Sequence, residues 1–137
     1  MVARVWTPMS GRYLLDTNIV IALFGMDQVV VTRMKAAEGI FVPITVIGEL
    51  CYGAEKSARR KENVDKIRSF AGASTILPCD TETSFIYGQV KNALRQSGRP
   101  IPENDIWIAS VARQHRLTLV SRDEHFSHVA GLVLERW

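Results

Sequence analysis

The chain has 137 residues, 47% of them apolar and 23% charged, with a formal net charge of +3. That is one domain of common size, with chain enough for a real core and the balance of a globular protein. The longest apolar stretch near the N-terminus is broken by Asp16, Thr17 and Asn18, and the apolar run after Arg4 is short, which argues against a transmembrane helix and a secretory signal.

Residues 1–8 match no element and Met9 is a natural second start, so the folded domain is expected over 9–137, with 1–8 as an extension. Arg12–Leu15 reads as a short buried strand. Helices follow over Thr17–Phe24 and Gln28–Glu38, the second stopped by Gly39. Ile40–Val42 is a strand closed by Pro43, and Thr45 is the expected cap of a helix with the apolar stripe Ile47, Leu50, Cys51, Ala54 and Ala58. A charged helix over Lys61–Phe70 leads to a third strand, Ser74–Leu77. Asp80 or Thr81 caps a long helix whose one face carries Ile86, Val90, Ala93, Leu94 and Ser97, ended by Gly98. A helix over Asn104–His115 and strands over Leu117–Val120 and Leu132–Leu134 complete the chain. Alternating strands and helices predict an α/β fold around a mainly parallel sheet, with ligands bound beyond the carboxyl ends of the strands.

Four acids stand out against this frame. Asp16 ends the first strand and Asp123 lies just past the fourth, so topology alone puts both on the ligand-binding edge. Asp105 heads the inward stripe Asp105, Ile108, Ala109, Ala112, where a lone ionised carboxylate is costly without a partner. Glu49 lies opposite Ile47, Cys51 and Ala54 and faces either solvent or a cleft, with Gly53 leaving room beside it. Each has an ordinary alternative: a helix cap for Asp16, a turn for Asp123, a first-turn acid favourable to the helix dipole for Asp105, a surface residue for Glu49. Gathered together, they make an oxygen-rich pocket suited to hard divalent cations. Basic residues at Lys56, Arg59, Arg60, Lys61, Lys66 and Arg68, and at Arg95, Arg99, Arg113, Arg116 and Arg122, suggest a positive rim for a polyanion, although a solvated helix face is the commoner use of any one of them.

The remaining chemistry-bearing residues are less telling. His125 and His128 have an i, i+3 spacing open to a transition metal, and His115 ends a helix stripe as a core residue or dipole partner. Trp107 and Tyr52 suit base stacking or simple packing. Cys51 and Cys79 lie among apolar neighbours without a CxxC pair and are expected as buried free thiols.

Leu14-Leu15-Asp16-Thr17-Asn18, Ile47-Gly48-Glu49-Leu50-x-Tyr52-Gly53, Asn104-Asp105-x-Trp107-Ile108-Ala109 and Val120-Ser121-x-Asp123-x-x-Phe126 together resemble the PIN-domain ribonucleases, and among them the VapC toxins of toxin–antitoxin pairs. The resemblance runs from about Arg12 to the C-terminus, with all four motifs in order. It implies a PIN-like three-layer fold with about five strands flanked by helices, and an endoribonuclease dependent on Mg²⁺, with Mn²⁺ as the alternative. Asp16, Glu49, Asp105 and Asp123 would be its catalytic and metal-binding acids, with Thr17, Asn18 and Ser121 in substrate or orienting roles. It further implies a cytoplasmic protein with an RNA substrate, a cognate antitoxin and a homodimeric state. A module that binds RNA or serves as a scaffold without cleaving is the alternative, and loss of one or more acids would mark it. A receiver-like signalling domain would need an acidic pair before the first helix and a Lys after the last strand, and the chain has no Lys after Lys91.

Overall fold

A computed structural model describes residues 11–137; the expected boundary at residue 9 lies outside them. The order is β1 (Arg12–Leu15), α1 (Thr17–Phe24), α2 (Gln28–Ala36), β2 (Gly39–Pro43), α3 (Ile44–Glu55), α4 (Arg60–Ala73), β3 (Thr75–Leu77), α5 (Thr81–Gln96), α6 (Glu103–His115), β4 (Thr118–Val120), a 3-10 turn (Glu124–His128) and β5 (Leu134–Glu135). The five strands form one parallel sheet in the order β3-β2-β1-β4-β5, flanked by the six α-helices. Parallel crossovers are right-handed almost without exception, so α1–α4 cover one face and α5–α6 the other. Leu14, Leu15, Val42, Leu119 and Val120, fully buried in β1, β2 and β4, form the centre of the core. Among the described residues no helix is long and apolar enough to cross a membrane.

The order reverses direction between β1 and β4, the switch point at which α/β sheets open a crevice. Leu14 and Leu15 pair with Leu119 and Val120, and the Asp16 N–H donates to the Val120 carbonyl at 3.0 Å. The chain therefore leaves the sheet at Asp16 directly beside the point where it leaves at Ser121.

Several local expectations shift for identifiable reasons. α2 stops at Ala36 rather than Glu38, because the Glu38 and Gly39 N–H groups both turn to the Gly11 carbonyl and Gly39 pairs with Arg12. Thr45 is not a cap: α3 starts at Ile44 after Pro43, which makes no side-chain cap bond. Pro43, with its fixed φ, serves both as the last strand residue and as the helix entrance. The buried stripe of α3 is Val46, Leu50 and Ala54, and Ala58 is exposed beyond the helix end. On α5, Thr83 joins Val90 and Leu94 in the core while Ala93 and Ser97 are exposed. Leu117 closes α6 rather than starting β4, its N–H reaching back to Ala112 at 2.9 Å past Arg116 in the left-handed region (φ 57°). The last strand is Leu134–Glu135 rather than 132–134. Cys79 is exposed and Cys51 half-buried; both are free thiols.

The ends of α5 follow the sequence closely. Asp80 accepts from the Thr83 N–H at 3.1 Å while the Thr83 hydroxyl accepts from the Asp80 N–H at 3.0 Å, a reciprocal capping box. At the other end the Gly98 and Arg99 N–H groups return to Arg95 and Leu94, with Gly98 at φ +70°, a conformation that favours glycine. Gly98→Ala is expected to lower the melting temperature by a few degrees, through backbone strain alone, since a Cβ at that position meets nothing within 4 Å. An unchanged melting curve would show that the turn relaxes without cost.

Candidate active site

Asp16 is buried, 6% exposed, at the junction of β1 and α1. Its Oδ1 accepts from the Thr17 N–H at 2.8 Å and its Oδ2 from the Ser121 hydroxyl at 2.6 Å, with Asn18 Nδ2 at 3.4 Å. Burial raises its pKa above the ordinary carboxylate value, the Ser121 and Thr17 bonds offset part of the rise, and the charge of Asp123 adds to it. Ser121 Oγ also accepts from the Asp123 N–H at 3.0 Å, so one hydroxyl joins the two strand-end acids. Asn18 closes the ring: its Oδ1 accepts from the Arg122 N–H at 3.2 Å. In this arrangement Ser121 and Asn18 orient carboxylates and the loop after β4.

Asp105 enters from the first turn of α6, its side chain 14% exposed. Its pKa is pushed up to about 6, by burial first and then by the charges of Asp16 and Asp123, with His125 relieving part of the rise. Glu49 comes from the middle of α3 and faces the cleft, resolving the two orientations its sequence allowed. Its Oε1 is buried without a hydrogen-bond partner, as is the Thr17 hydroxyl. Burial, then the charge of Asp16, raises the Glu49 pKa; the nearby Thr17 hydroxyl eases it without completing a hydrogen bond, and Asp105 raises it further. Asp123 accepts from the His125 N–H at 3.0 Å as the cap of the 3-10 turn.

All four acids therefore converge. An open depression of about 440 Å³ is lined by Glu49, Asp105 and Asp123 together with Pro102, Glu103 and Asn104. On the other side of Glu49 lies a groove of about 250 Å³ lined by Thr17, Ile21, Phe24, Leu50, Gly53, Asn63 and Lys66 among others. The donor set fits a hard divalent cation: carboxylates held together against their mutual repulsion, with one orphaned buried oxygen aimed into the cluster.

One site residue differs from the expectation. His125 does not pair with His128, whose Nδ1 faces Arg99 at 3.4 Å. Its Nδ1 instead lies 3.1 Å from Asp123 Oδ1 and 3.5 Å from Asp105 Oδ2, and these three residues can offer ligand atoms mutually within 4.8 Å. The signal available in the sequence was its position two residues after Asp123 in a tight turn, which aims both side chains to one side. The positive rim is also narrower than the sequence suggests. Arg59, Arg60 and Lys61 pair with Glu62, Glu55 and Asp65, and Arg122 reaches Asp27 and the Trp137 carbonyl, whereas Lys66 lines the groove beside Glu49. Trp107 stacks on Tyr87 with ring centroids 4.0 Å apart, and His115 is exposed at the end of α6.

Residues 13–132 match the model of the PIN domain family. The chain is 36% identical over 129 residues to ribonuclease VapC2 of Haemophilus influenzae, covering 92% of this chain and 98% of that protein. It is 32% identical over 129 residues to the tRNA(fMet)-specific endonuclease VapC of Shigella flexneri, with the same coverage of each chain. The fold is similar to that in a crystal structure of VapBC2 from Rickettsia felis bound to a DNA fragment from its promoter, with a TM-score of 0.85, 30% identity, and 91% and 98% of the two chains covered.

Proposed function

The chain belongs to the PIN domain family, and we propose that it is a metal-dependent endoribonuclease, the toxin of a VapBC-type toxin–antitoxin module, working in the cytoplasm. The observation that carries this is the convergence of Asp16, Glu49, Asp105 and Asp123 at the switch point of the sheet. A scaffold or binding module has no need to hold four acids together against repulsion. Mg²⁺, or Mn²⁺ in its place, would be held by these four carboxylates. When bound, such an ion activates water and offsets charge on the phosphoryl and leaving oxygens.

The protein's own residues act on geometry and charge. The Ser121 hydroxyl and the Thr17 N–H hold both oxygens of Asp16 in place beside the other acids. Asp105 from α6 and Glu49 from α3 bring two further carboxylates to that of Asp16, a set that would hold the ion to which the scissile phosphate binds. Water as nucleophile leaves a 5′-phosphate and a 3′-hydroxyl. The cognate antitoxin is the protein partner, and a homodimer would cover Ile21, Met26 and Val29, exposed apolar residues of the first two helices and the loop between them.

The test is incubation of the pure protein with an RNA panel in Mg²⁺, Mn²⁺ or EDTA, followed by mapping of the ends. Cleavage in either metal, none in EDTA, and 5′-phosphate products are expected. Cleavage in EDTA, or 2′,3′-cyclic phosphate ends, would refute it. Ser121→Ala should reduce cleavage about 10- to 100-fold, in line with loss of a group that orients a ligand, while Ser121→Thr keeps most of it; equal activity of all three proteins would remove Ser121 from the site.

A further inference from the structure

We propose that His125 is a direct nitrogen ligand of the cation bound by the acidic site, which makes this a carboxylate–imidazole site that prefers Mn²⁺ and later transition metals to Mg²⁺. The inference rests on the metal-dependent reading above and extends it to the identity of the ion. His125 stands in the first turn after β4, where its backbone N–H bonds Asp123 Oδ1 at 3.0 Å, so the residue is held beside that carboxylate. The ring Nδ1 lies 3.1 Å from Asp123 Oδ1 and 3.5 Å from Asp105 Oδ2. Two ligand atoms at right angles around an ion, each about 2.1 Å from it, stand roughly 3 Å apart. The separations in this cluster are of that size. The three residues belong to two elements, so the cluster is made by the fold and not by a single turn.

The chemistry of the donor decides the preference. Mg²⁺ takes oxygen ligands and water almost exclusively, and four carboxylates alone would serve it. Imidazole adds little for Mg²⁺ but favours borderline metals, whose affinity for nitrogen rises from Mn²⁺ towards Cu²⁺. The rival explanation is that His125 only holds Asp123 and Asp105 in place by hydrogen bonding. That role would serve both cations alike, so the two explanations separate by comparing metals.

The experiment uses the full chain, with Mn²⁺ binding followed by electron paramagnetic resonance and Mg²⁺ binding by competition against it. Pulsed spectra of the Mn²⁺-loaded protein are expected to show coupling to an imidazole ¹⁴N. In H125A and H125Q, checked for folding by circular dichroism, that coupling should vanish. Mn²⁺ affinity should fall about tenfold or more in both variants, with Mg²⁺ affinity changed less than about twofold. Mn²⁺ binding without ¹⁴N coupling, or an equal loss of both cations in the variants, overturns ligation by His125 and leaves the carboxylate site standing. Failure of the unaltered protein to bind either cation overturns the metal-dependent reading as well.

Discussion

Asp16→Asn is expected to reduce RNA cleavage by about a thousandfold or more, the scale on which one essential electrostatic group acts in a preorganised site. Asn keeps the shape of the side chain and can still accept from the Thr17 N–H, so the entry to α1 survives. What it removes is the negative charge at the most buried of the four acids. The loss should appear in single-turnover rates at saturating metal, with the circular dichroism spectrum unchanged. A variant that is folded and cuts within about tenfold of the unaltered protein would sink the assignment of Asp16.

Asp105→Asn should make the metal-free protein more stable at neutral pH. The folded-state pKa is about 6, against 3.8 for an unperturbed aspartate. Between these values the folded protein binds more protons than the unfolded chain, so stability falls as pH rises through that window. At pH 7.5 in EDTA the ionised carboxylate costs about 2 kcal/mol after allowance for solvent screening, and the substitution should raise the melting temperature by roughly 5–10 °C. The gap should narrow as pH is lowered through 6 towards 4, where the native carboxyl is already neutral. Saturating Mn²⁺ should reverse the ranking by stabilising only the protein with the intact carboxylate. A gap that widens on acidification would contradict the raised pKa.

Both predictions concern acids that could be read from the sequence for physical reasons. Asp16 ends the first strand, which puts it on the ligand-binding edge by topology, and Asp105 heads an inward stripe, which aims it at the core by periodicity. Asp123 was placed by topology, since any residue just past β4 must lie on the same edge. Glu49 was not decidable in this way. The α3 stripe includes Val46, and the helix begins at Ile44 because Pro43 doubles as strand end and helix entrance. Only the packing of α3 beside α1 shows that the side away from the sheet is a cleft wall. His125 was hidden for a related reason: its i, i+3 spacing invites pairing with His128, and a 3-10 turn would itself favour that, so only the packing of the turn beside α6 brings its ring to Asp105 on another element. The exposure of Cys79 and the pairing of Arg122 with Asp27 likewise depend on contacts distant in the chain, which local pattern does not record.

The hydrogen bond between Ser121 and Asp16 joins residues 105 positions apart, and this has a consequence for the order in which the molecule is made. β1 can pair with β2 as soon as the first third of the chain is free. Its other neighbour, β4, together with Ser121, Asp123 and His125, lies within the last twenty residues. During synthesis the N-terminal half can fold first, yet Asp16 then has no Ser121 and the acidic ring lacks a side. An incomplete chain that stops short of β4 thus carries at most three of the four acids, Asp16, Glu49 and Asp105, but not the geometry that would make them dangerous to the RNA around it.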